Sequence, residues 1–97
     1  MVKPWITKFL DQFAQLANSY DHAPEYELVE ALDPEGPVVA DGSLKDLEFD
    51  DNQIEFKLEF RDRGDPRVIV LWKERPQDDW SKTVVRHPKA AFGLLYL

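Results

Sequence analysis

The side chains of widest chemical range in this chain are two histidines, His22 and His87. His22 sits in Tyr-Asp-His-Ala-Pro-Glu, where Asp21 and Glu25 are close enough to orient the ring as a base or to share a cation with it. That grouping is the seed of a small enzyme or metal protein. The spacing matches no zinc pattern. Without a single cysteine, a tetrahedral site would need both histidines and two carboxylates together. A loop histidine beside a proline is more often a turn residue, and His87-Pro88 reads the same way at a strand end.

Other chemistry fares no better. Asp50-Asp51-Asn52 opens like a calcium loop, but position 55 is Glu where such a loop needs Gly. Ser19, Ser43 and Ser81 have no histidine partner by sequence. No G-x-S-x-G or H-E-x-x-H motif occurs, and four glycines in all do not make a phosphate cradle. The expectation is a protein that is not an enzyme, with no cofactor and no metal site.

Charge carries more information than any motif. The 97 residues hold 19 acids against 12 bases, a net charge of −7. Thirteen of the acids fall within residues 21–59, against only Lys45 and Lys57. Such a field opposes general nucleic-acid binding and attachment to anionic membranes. Arg61, Arg63 and Arg67, near Phe60, Trp72 and Trp80, give only a faint contrary hint. No apolar run reaches the length of a membrane span, and Met1–Leu10 lacks the features of a signal peptide. The lack of cysteine suits a cytoplasmic protein.

The elements that must position these residues follow from periodicity. Trp5, Ile6, Phe9, Phe13, Leu16, Ala17 and Tyr20 recur at helical spacing after Pro4, predicting a helix over about 4–19. Residues 25–32 fit either element and lean to helix. Asp33–Pro37 is turn chemistry, Val38–Ala40 a short strand, and Asp41-Gly42 a break. Strands are predicted over about 44–49, 54–61, 67–74 and 82–87, the last ended by Pro88. An apolar tail, 90–97, follows. Nothing suggests a second domain, so residues 1–97 read as one α+β domain, an N-terminal helix packed on a mainly antiparallel sheet of three to five strands.

Side-chain parity fixes the expected register. Closing the first hairpin over 50–53 sets Phe49 opposite Ile54, Leu47 opposite Phe56 and Asp46 opposite Lys57. Closing the second over 62–66 sets Phe60 opposite Val68, Leu58 opposite Val70, Phe56 opposite Trp72 and Glu55 opposite Lys73. The inner face is then Phe49, Ile54, Phe56, Leu58, Phe60, Val68, Val70 and Trp72, with the helix as its cover. The opposite face runs from acidic (Asp46, Glu48, Glu55, Glu59) through apolar (Ile69, Leu71, Val84) to basic (Lys73, Arg86), and the tail or residues 25–32 are expected to fold over it.

These seven residues, Asp46, Glu48, Glu55, Glu59, Ile69, Leu71 and Val84, are the expected partner-binding surface. The function they suggest is a small acidic protein-binding module, an inhibitor or immunity-type protein that neutralises a basic partner by charge steering. Two other classes compete: an acidic mimic of nucleic acid that blocks a DNA- or RNA-binding protein, and the Asp21–His22–Glu25 enzyme or metal protein. A homodimer is compatible with either binding role.

Overall fold

The computed structural model describes residues 3–30, 37–49 and 53–96. Helix α1 spans Pro4–Ser19, with Pro4 in the first turn, where an amide would have no partner within the helix. Lys3 stays extended, and its carbonyl accepts from the amides of Ile6 (3.0 Å) and Thr7 (3.3 Å). At the far end the Tyr20 and Asp21 amides donate to the carbonyls of Ala17 and Asn18. Asp21 takes a left-handed conformation (φ 57°), which aspartate tolerates better than most residues, and the chain turns directly into a strand.

Five strands follow: β1 His22–Glu30, β2 Val38–Asp46, β3 Gln53–Arg61, β4 Arg67–Lys73 and β5 Ser81–Val85. They form one antiparallel meander in sequence order. A second helix, α2 (Pro88–Tyr96), closes the chain. The fold is α+β, with the helices on one face of an antiparallel sheet.

The core lies between that face and the helices. Trp5 and Phe9 meet Phe60 edge-on at 5.7 and 5.4 Å, and Phe13 meets Phe56 at 5.6 Å, so α1 runs along β3. Phe13, Leu44, Phe56, Leu58, Val68, Val70 and Leu95 are fully buried. Lys3 ion-pairs with Asp62 beyond β3 and ties the start of α1 to the β3–β4 turn. The hydrogen bond from Lys3 holds the Asp62 carboxyl below the usual range.

The second hairpin has the register that parity predicts: Phe60 stands opposite Val68, Leu58 opposite Val70, Phe56 opposite Trp72 and Glu55 opposite Lys73. The first does not. Leu44 stands opposite Ile54 and Gly42 opposite Phe56, so Leu47 and Phe49 leave the sheet and Phe49 is 61% exposed. The strand expected at 44–49 is instead β2, which begins at Val38 and runs straight through Asp41-Gly42. Glycine is inside a strand here because β1 passes very close: a methyl on Gly42 would fall on the Glu25 carbonyl oxygen and 2.6 Å from Tyr26 Cα.

Two further expectations are corrected. Residues 25–30, leaning to helix by sequence, belong to β1, an edge strand that accommodates Pro24 opposite Leu44. Pairing with β2 decides that segment, since Tyr26 turns inward while Glu25 and Glu27 face away. The tail is helix α2, and it buries Ala91, Phe92 and Leu95 beside α1 rather than covering the opposite face. The last strand accordingly stops at Val85, and Pro88 starts α2 instead of ending a strand. Residues 31–32, the turn at 33–36 and Asp50-Asp51-Asn52 lie outside the described residues.

Candidate functional site

Just past α1, the left-handed Asp21 leads the chain into β1 with His22 on the helix-bearing side of the sheet, opposite Asp46 at the end of β2. His22 Nδ1 lies 2.6 Å from the Tyr20 carbonyl. A carbonyl only accepts, so Nδ1 carries the proton and Nε2 is the atom turned toward Asp46 Oδ2, 3.9 Å away. The other carboxylate oxygen of Asp46 accepts from the amides of Glu48 (2.9 Å) and Phe49 (3.3 Å). One aspartate thus shapes the chain leaving β2 and faces the histidine. The Leu47 amide also donates to the Asp21 carbonyl at 2.8 Å, binding this segment to the end of α1.

Aromatic rings wall the same corner. Tyr20 stacks on Phe92 at 5.6 Å and lies 5.2 Å from Tyr96, and the His22 ring meets Tyr96 edge-on at 5.4 Å. Phe92 is buried, while Tyr20 and Tyr96 stay about half exposed. Between this wall and Phe49 opens a cleft of about 490 Å³, whose polar lining is Ser19, Asp21, His22, Asp46 and Glu48. Among the described residues no lysine or arginine lines it. Among the described residues, eight large apolar side chains remain exposed; Tyr20, Phe49 and Tyr96 line this cleft, and Leu47 is tethered beside it. Carboxylates beside open aromatic faces suit a cationic group, which the ring quadrupole and the charges both attract.

The seven expected partner-binding residues are therefore divided. Asp46 and Glu48 belong to the cleft and not to the far face of the sheet, so Glu48 does not oppose Glu55, whose neighbour on β2 is Ser43. Glu55, Glu59, Ile69, Leu71 and Val84 do share that far face, which no described helix covers. Glu55 pairs with Lys73 at 3.7 Å and Glu59 with Arg61 at 3.4 Å. Trp80 reaches over both Lys73 (4.5 Å) and Lys57 (5.1 Å). Val84 is 50% exposed, while Ile69 and Leu71 are half-buried.

The grouping of Asp21, His22 and Glu25 is also split, since alternation along β1 turns Glu25 to the face opposite His22. Among the described residues no three His, Asp or Glu side chains converge as a metal ion would require. His87 lies apart, in a groove of about 560 Å³ between α1 and the start of α2, beside Gln12, Gln15 and Lys89. Among the described residues no helix is long and apolar enough to cross a membrane.

The aromatic corner was missed in sequence because it joins position 20 just past α1, position 49 just past β2 and position 96 at the end of α2, and it rests on the first-hairpin register. Parity alone assigns Phe49 to the core, whereas it stands 61% exposed. Comparison of the chain with protein families, curated proteins and solved structures finds no match.

Proposed function

We propose that this protein is a binding module, of inhibitor or immunity type, that takes hold of a basic protein partner at the cleft between Tyr20, Phe49 and Tyr96. The supporting observation is the lining itself: among the described residues it holds three exposed aromatic rings and three carboxylates, with no lysine or arginine. An arginine or lysine of the partner entering there meets ring faces and Asp21, Asp46 and Glu48 together. Tyrosine and arginine are also the residues most often dominant at protein interfaces. The net charge of −7 would add long-range steering, which acts on the association rate more than on the final contacts. The role is binding rather than catalysis, and we take the cytosol as its compartment.

The test is calorimetric titration with an arginine-rich peptide. Asp46→Asn with Glu48→Gln should weaken binding about tenfold, whereas Glu25→Gln with Glu27→Gln, an equal change in net charge on the other face, should weaken it far less. Equal losses in both variants would reduce the effect to net charge and overturn the cleft. A nucleic-acid mimic would instead be recognised by competition with DNA or RNA for the partner's own site.

A further inference from the structure

The open face of the sheet is a second surface, independent of the cleft, and its side chains are ordered in rows across the strands. One row reads Glu27, Asp41, Lys57, Leu71, Lys82 from β1 to β5, and the next reads Val29, Val39, Glu59, Ile69, Val84. Each row places acid or valine on β1 and base or valine on β5. The face therefore grades from acidic β1 (Glu25 and Glu27), through β2 with one acid and one base (Asp41 and Lys45), to basic β4 and β5 (Arg67, Lys73 and Lys82), and it carries apolar side chains on both halves.

A gradient of this kind is complementary to itself under one symmetry operation. A twofold axis lying along β3 sets β1 of one copy over β5 of the other. It brings Glu27 toward Lys82, Val29 toward Val84 and Val39 toward Ile69, each contact occurring twice. A twofold across the strands would instead stack acid on acid and base on base. We infer that the open face binds a second copy of this chain, as two sheets stacked face to face about an axis along β3.

Like residues meet only in the central column, and there the charged side chains are already engaged within their own chain. Glu55 is held by Lys73, Glu59 by Arg61, and Lys57 lies under Trp80. Stacked sheets keep their strands within about 30° of each other, a rotation that long Glu and Lys side chains can span. Five strands of five to nine residues present roughly 600 Å² per copy. The contact would bury on the order of 1,200 Å² in total, the lower limit for specific interfaces, and a weak dimer follows. Tyr20, Phe49 and Tyr96 lie at the helix side, so the dimer would leave both clefts open.

Sedimentation equilibrium of the full chain at about 100 μM, in low salt, tests this. The wild type should be a dimer. Glu27→Lys or Lys82→Glu alone should raise the dissociation constant at least about tenfold, and the two together should restore it to within about threefold. Both positions are solvent-exposed, and circular dichroism should show all three variants folded. A wild-type monomer overturns the inference, as does a dimer that either single reversal leaves intact or that the double exchange fails to rescue. Peptide binding at the cleft should change no more in these variants than in Glu25→Gln with Glu27→Gln, so the two surfaces stand or fall separately.

Discussion

His22 and Asp46 are cross-strand neighbours, with Nε2 3.9 Å from Oδ2, and the same aspartate holds the amides of Glu48 and Phe49 through its other oxygen. The pair links the end of α1, the start of β1 and the segment that carries Phe49. Asp46→Ala should lower stability by about 1 kcal/mol and speed amide exchange at Glu48 and Phe49 well above the rest of β2. Asp46→Asn keeps an oxygen acceptor and should retain much of that protection. Unchanged exchange in Asp46→Ala would mean that the turn does not depend on this carboxylate.

Tyr26 is half-buried on the helix-bearing face of β1, and burial there, with Asp11 nearby, pushes its phenol above the ordinary value of 10.0. A raised pKa favours the protonated form in the folded state. The stabilisation is complete below the unfolded value and is lost as pH rises through the folded one. Ultraviolet titration of the folded protein should show a component above the normal phenol range, and Tyr26→Phe should remove it. Persistence of that component in Tyr26→Phe would assign it elsewhere.

Phe56 carries the core on β3, fully buried and edge-on to Phe13. Phe56→Ala should cost roughly 3–5 kcal/mol in chemical denaturation. A loss of a few tenths of a kcal/mol would contradict the β3–β4 register.

Gly42 makes a different demand, because backbone rather than side chain occupies the space a methyl would need. Gly42→Ala should destabilise by about 1–3 kcal/mol and disturb β1 more than β4. A neutral result would mean that β1 and β2 are further apart than described.

Much of this fold was legible because strong periodicity needs no context. The repeat from Trp5 to Tyr20 and the alternation from Ile54 to Phe60 each specify their element, and the five-residue turn at 62–66 fixes parity for β4. The first hairpin failed for a physical reason. Leu44, Leu47 and Phe49 are all apolar, so parity could be satisfied by Phe49 or by Leu44, and Asp41-Gly42 resembled a turn. What decides it is the passage of β1 beside Gly42, a tertiary contact that local pattern cannot carry. The edge position of β1 likewise leaves Leu28 and Val29 exposed and blurs its alternation. Of the candidate site, the acidic character of residues 21–59 was visible, while the rings that gather at Asp46 and Glu48 were not.

The central claim is that a cationic group is received between Tyr20, Phe49 and Tyr96 above Asp46 and Glu48. Nuclear magnetic resonance titration of the isotope-labelled protein with an arginine-rich peptide tests it most directly. The predicted result is saturable shifts concentrated on the ring signals of Tyr20, Phe49 and Tyr96, the His22 imidazole and the amides of Glu48 and Phe49. Shifts spread evenly over the acidic residues, or gathered on Glu55, Glu59, Ile69, Leu71 and Val84, would contradict it.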